Sequence, residues 1–246
     1  MKIVQSAGVS ELGRQAGKEA ADLIRNAISR SGQANIILAT GASQFHTLGQ
    51  LIAEEGIDWG KVVMFHLDEY IGLPESSPAS FRKYLKERFI EKVPAMKAVY
   101  LINGEADPEE ECARLNAIIE QHPIDVALVG IGENGHLAFN DPPADFDTGF
   151  PYIIVELDKA CREQQFNEGW FATVEDVPRR AISMSVKQIC RSEYIICSVP
   201  DERKAVAVRD CLEKPVSNQH PASILQDHPG CTCFLDEHSA SLLGKN

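Results

Sequence analysis

The sequence predicts a single α/β domain over residues 1–246, with a mostly parallel, doubly wound (Rossmann-like) sheet and helices on both faces. Three observations lead there. Short apolar runs alternate with helical patterns along the chain, the order that produces a parallel sheet covered on both sides. At 246 residues the chain can bury one large core. No linker, low-complexity tract or internal repeat divides it. Leu12, Ala16, Ala20, Leu23, Ile24, Ala27 and Ile28 recur at helical spacing and give a first helix. Asn35–Ala39 is a buried strand, followed by Thr40-Gly-Ala-Ser-Gln44 and an apolar-periodic segment to about Ala53. Lys61–Phe65 is the next strand. Residues 78–90 read as a helix opened by Ser77-Pro78. Val99–Leu101 is a short strand, and Asp107-Pro108 opens a helix with acids against its positive end. Further strands are expected at 124–129, 152–157, 181–185, 193–199 and 231–235, with a helix over 201–213.

The net charge of −12 argues against a nucleic-acid partner, which wants a basic face, but leaves room for a locally bound anionic small molecule. No apolar run approaches the roughly 18 residues of a membrane span. Met1-Lys-Ile-Val-Gln-Ser has no secretory pattern, so a cytoplasmic protein is expected. Seven cysteines without a CxxC pair read as reduced structural thiols, and no metal site is expected from them.

Four segments that follow strands can carry chemistry. The most informative is Gly130-Ile-Gly-Glu-Asn-Gly-His136-Leu-Ala-Phe-Asn140-Asp141-Pro142, after the apolar run 124–129. Its glycines allow a sharp turn close to a ligand, and His136 can move a proton near neutral pH with a carboxylate to fix its tautomer. Thr40, Gly41, Ala42 and Ser43 lie between a strand and a helix, where unpaired N–H groups suit a phosphate; the plainer role is a turn with Ser43 as N-cap. His66-Leu-Asp68-Glu69-Tyr70 offers two acids, either a carbon base or a solvated turn. Lys204, in Asp201-Glu-Arg-Lys204, can close over an anion or simply face solvent.

Leu38-Ala-Thr-Gly-Ala-Ser43, Phe65-His-Leu-Asp-Glu-Tyr-Ile-Gly-Leu-Pro74, the 130–142 stretch and Lys204-Ala-Val-Ala-Val208 occur in this order. Together they resemble the glucosamine-6-phosphate deaminase (isomerase) family, from about residue 10 to 243. Ser223-Ile-Leu-Gln226 with His228-Pro229 is similar to that family's C-terminal segment. Ala138-Phe139-Asn140 and Asp68-Glu69-Tyr70 fit this branch better than the related 6-phosphogluconolactonases. The resemblance implies conversion of an amino-sugar 6-phosphate and water to a ketose 6-phosphate and ammonia, with no cofactor. It implies His136 as the ring-opening acid/base, Asp68 as the base at C2, Asp141 as the partner of His136, and residues 40–43 with Lys204 as the phosphate cradle.

Three positions depart from the family pattern. Asp141 stands where glutamate is usual, one methylene shorter. Asn134 stands where many relatives carry aspartate. Gln165 aligns with a phosphate-binding arginine, and Arg162, one helical turn away, is a candidate replacement. These departures keep open galactosamine-6-phosphate as substrate and a non-catalytic sugar-phosphate sensor, and the shared fold keeps open a 6-phosphogluconolactonase. Pro143–Leu157 contains no Lys or Arg, so control by an acetylated sugar phosphate is not expected. Relatives occur as monomers and as hexamers, so a homo-oligomer stays open as well.

Overall fold

The computed structural model describes residues 1–244. Seven strands form one sheet in which every neighbouring pair is parallel. They are β1 (Lys2–Ser6), β2 (Ala34–Leu38), β3 (Val62–His66), β5 (Ala98–Tyr100), β6 (Val126–Val129), β9 (Tyr194–Val199) and β10 (Cys231–Asp236), in the order β1-β10-β9-β6-β2-β3-β5. Alternate residues of one strand feed the two cores. Ile37, Val63 and Phe65 pack on one face, and Ile36, Leu38, Val62 and Met64 on the other. The helices α1 (Val9–Ser31), α2 (Phe45–Ala53), α3 (Phe81–Arg88), α4 (Pro108–Ile119), α5 (Lys159–Asn167), α6 (Val186–Ile189) and α7 (Ala205–Glu213) complete the chain. None of the described helices is long and apolar enough to cross a membrane.

The sheet order reverses between β2 and β6. After β2 the chain adds β3 and β5 on one side; β6, β9 and β10 extend the other. Such a switch point leaves a crevice at the carboxyl ends of the strands. The loops after β2 and β6 flank it.

The expectation of one mostly parallel sheet holds for the strands near 35–39, 61–65, 99–101, 124–129, 193–199 and 231–235. The expected strands at 152–157 and 181–185 form elsewhere. They are β7 (Tyr152–Glu156) and β8 (Arg180–Met184), and with β4 (Asp68–Tyr70) they make a separate antiparallel sheet, β4-β8-β7. The chain bends at Leu67, whose carbonyl accepts from the Met184 N–H at 2.9 Å, and β4 leaves the main sheet. Beneath it Tyr70, Phe81 and Phe139 form a third core, with ring centroids 5.0 to 5.6 Å apart.

Three further differences are local. The helix expected from residue 78 starts at Phe81, because Ser80 caps it and accepts from the Lys83 N–H. The helix expected over 201–213 opens as a 3-10 turn, Glu202–Lys204. Strand β1 had no sequence signal, since Lys2–Gln5 are largely exposed on an edge. All seven cysteines are free.

Candidate active site

A cavity of about 360 Å³ opens at the switch point, within the range of small-ligand pockets. Thr40, Gly41, Ala42 and Ser43 line one wall; Asp68, His136, Gln165 and Lys204 line the others. Asn134 and Asp141 do not reach the cavity and stand behind His136.

The wall after β2 is a backbone surface. Gly41 has φ 94° and ψ 169°, a conformation close to glycine-only, and leads into the 3-10 turn that starts α2. Tyr84 Oη donates to the Gly41 carbonyl at 2.9 Å, and the buried Gln44 amide donates to Val129 O at 3.3 Å. Ser43 makes no helix-capping bond; its hydroxyl accepts from Gln44 Nε2 at 3.3 Å and keeps its own proton to donate to a ligand. Unpaired N–H groups at a helix start make this wall a natural anion site.

The two acids after β3 separate by strand alternation. Asp68 faces the cavity, whereas Glu69 is fully buried on the other side. Glu69 accepts from Ser80 Oγ at 2.9 Å and Arg82 N at 2.9 Å, with Arg82 Nε at 3.4 Å. Its role is to tie α3 to β4. Burial, and then the Glu69 charge, push the Asp68 carboxyl up to about 8.

His136 sits on a tight loop that only glycine permits. A Cβ on Gly132 would lie 2.2 to 2.4 Å from the imidazole ring. Asn134 Oδ1 accepts from the His136 N–H at 3.1 Å, and its amide donates to Asp141 Oδ1 at 3.0 Å. Asp141 Oδ1 lies 3.2 Å from His136 Nδ1, so the shorter side chain still reaches the ring, although off the line of a well-formed hydrogen bond. Nδ1 is sealed from the cavity, which leaves the Nε2 edge to face it. Burial pushes the Asp141 carboxyl up, but His136, Asn134 and the Asp158 N–H outweigh it and hold it below the usual range. Asn140 is structural: its amide donates to Leu137 O and Met184 O.

Lys204 is 6% exposed, and no carboxylate among the described residues lies within 4.0 Å of its Nζ. Burial lowers the ammonium's pKa, partly offset by Glu168 and Glu133. A buried cation without a contacting anion, beside a wall of N–H groups, is suited to a phosphate.

Helix α5 settles the orientation of its polar side chains. Gln165 lines the cavity and accepts from Tyr70 Oη at 2.8 Å. Arg162 points away and donates to Val174 O and Val177 O, so it does not replace Gln165. Among the polar lining residues that had not been singled out are Gln164, Glu168, Arg203, His46 and Asp236. The first two share a helix face with Gln165, and polar residues on a buried face were the available signal.

His136, Asp141 and Cys161 offer ligand atoms within 4.8 Å of one another, the one such group among the described residues. Burial and the Asp141 and Asp158 charges push the Cys161 thiol well up, which favours the neutral thiol over a metal-binding thiolate.

The family model described as glucosamine-6-phosphate isomerases/6-phosphogluconolactonase matches residues 8–234. The glucosamine-6-phosphate deaminase of Listeria monocytogenes serotype 4a (strain HCC23) is 40% identical over 228 residues, 92% of this chain and 94% of that one. The glucosamine-6-phosphate deaminase of Lactobacillus delbrueckii subsp. bulgaricus (strain ATCC BAA-365 / Lb-18) is 35% identical over 99% of this chain and 100% of its own. A solved structure of a monomeric glucosamine-6-phosphate deaminase superposes with a TM-score of 0.90 at 32% identity, covering 98% of this chain and 100% of that one. The 6-phosphogluconolactonase of Trypanosoma brucei, at 17% identity and a TM-score of 0.80 over 99% of this chain and 98% of that one, shares the fold.

Proposed function

The chain belongs to the glucosamine-6-phosphate isomerase/6-phosphogluconolactonase family, and from that premise we propose that it is a glucosamine-6-phosphate deaminase. The reaction converts glucosamine-6-phosphate and water to fructose-6-phosphate and ammonia, with residues 1–246 acting as one unit. The observation that carries this reading is one cavity that joins Asp68, His136, the Thr40–Ser43 wall and the buried Lys204 ammonium.

The phosphate sits on the N–H groups of residues 41–43 and the Thr40 and Ser43 hydroxyls, with Lys204 as counter-ion. Gln165 adds a neutral amide at that end. His136 moves a proton between the ring oxygen and the anomeric hydroxyl, which opens the sugar to the aldehyde. Asp141 and Asn134 hold the loop and the ring in place from behind. Asp68, ionised, takes the C2 proton, the electron pair shifts through C1 onto the aldehyde oxygen, and that oxygen takes a proton from the substrate's ammonium to give the enolamine. The same carboxyl returns the proton to C1, forming the C2 iminium. Water adds at C2, the C2–N bond breaks, and ammonia leaves. The C1 carbonyl takes the electron pair in the proton transfer and the C2 iminium takes it when water adds, so the sequence needs no organic cofactor.

The test is ammonia and ketose-6-phosphate release from a panel of amino-sugar 6-phosphates, with Asp68→Asn as control. Turnover of glucosamine-6-phosphate, lost in the variant, is the expected result. Faster turnover of galactosamine-6-phosphate would reassign the substrate. Hydrolysis of 6-phosphogluconolactone without deamination, or binding without turnover, would overturn the reaction.

A further inference from the structure

We propose that the Glu168 carboxylate, which faces the anion cradle without contacting Lys204, opposes a substrate phosphate there and limits how tightly it is held. The proposal rests on reading residues 40–43 and Lys204 as the phosphate end.

Glu168 caps the C-terminus of α5, and its side chain lines the cavity. Its Oε2 lies 4.0 Å from the point where a Cβ on Gly41 would stand, so the carboxylate is aimed at the cradle backbone. Two donors hold it there: Gln164 Nε2 to Oε1 at 2.9 Å and Trp170 Nε1 to Oε2 at 3.3 Å. Of the charges that act on Lys204, Glu168 has the largest effect. Gln164 in turn accepts from the Glu133 N–H at 2.9 Å, which links this arrangement to the loop that carries His136.

A protein carboxylate therefore faces the phosphate end, about one helical turn beyond Gln165. A carboxylate and a phosphate that face the same cradle repel, and the phosphate carries nearly two charges. The phosphate gains more from Lys204 and the N–H groups than it loses to the single carboxylate. A neutral C6 hydroxyl does not feel that repulsion. Glu168 thus lowers the affinity for the phosphate itself. When it withdraws, Trp170 loses its acceptor.

The test is direct binding of inorganic phosphate by calorimetry, which needs no turnover, to the wild type, Glu168→Gln and Glu168→Asp. Removal of the charge in the isosteric Glu168→Gln is expected to tighten binding about tenfold. Glu168→Asp, which keeps the charge, should stay near the wild-type affinity. Phosphate should also change the tryptophan fluorescence of the wild type, and the change should vanish in Trp170→Phe. Equal or weaker binding by Glu168→Gln overturns the role of Glu168 while leaving the cradle intact. No phosphate binding by any of the three proteins overturns the cradle itself, and the proposal with it.

Discussion

Asp68 ties catalysis to pH and to stability. The folded protein keeps its proton up to about pH 8, because burial and the Glu69 charge disfavour the carboxylate, whereas the unfolded chain releases it near pH 4. A base works only when ionised, so kcat/KM for glucosamine-6-phosphate is expected to rise about tenfold per pH unit below 8 and to level off above it. A flat profile from pH 6 to 9 would contradict that environment. The same shift acts on folding. Between about pH 4 and 8 the folded state binds more protons than the unfolded one, so this group's contribution to stability falls as pH rises and stays lost above 8. Asp68→Asn should therefore abolish turnover yet raise the melting temperature at pH 8.5 by several degrees, where 1 kcal/mol is worth about 2–4 °C. At pH 5 the gain should disappear, since the native carboxyl is then neutral as well. Thermal melts at the two pH values check the sign. At this scale Asp68, His136 and residues 40–43 were legible in the sequence because each follows a strand. Glu168 was not, because nothing local says that the face of α5 turns toward Gly41.

Glu69 shows how neighbours in one short strand come to serve different ends. Alternation along β4 gives Asp68 to the cavity and Glu69 to the N-terminus of α3, where Ser80, Phe81 and Arg82 donate to it. Removing one partner of a buried ion pair leaves the other uncompensated. Glu69→Gln is expected to lower the unfolding free energy by about 3 kcal/mol or more. Glu105 also pairs with Arg82, at 3.0 Å, but its side chain is 48% exposed. Glu105→Gln should thus cost less than about 1 kcal/mol. Urea denaturation of both variants separates the two cases. The Asp-Glu pair could be read in the sequence as a pair of acids, but the division of labour depends on the bend at Leu67. That bend takes β4 out of the parallel sheet and into register with β8, Asp68 opposite Ser183.

At the scale of the whole molecule, the least conspicuous strand closes the sheet. β1 lies at the edge, paired in parallel with β10, and four of its five residues are not buried. Its contribution is to cover the polar edge of β10 more than to add core. Removal of residues 1–7 is expected to leave a folded protein that associates as its concentration rises, because β10 then presents unpaired N–H and C=O groups. Light scattering over a concentration series would show it, and a monodisperse truncated protein would refute it. The sequence by itself determined the alternation of strands and helices, the loops that bear His136 and Asp68, and the glycines those loops require. These follow from hydrophobic periodicity and backbone sterics, which act over a few residues. Only the tertiary structure decided which strands pair, that β4, β7 and β8 form a sheet of their own, that Arg162 turns away while Gln165 faces the cavity, and that Glu168 meets the anion cradle. Those outcomes depend on contacts between segments far apart in the chain, set by how two cores pack against one sheet.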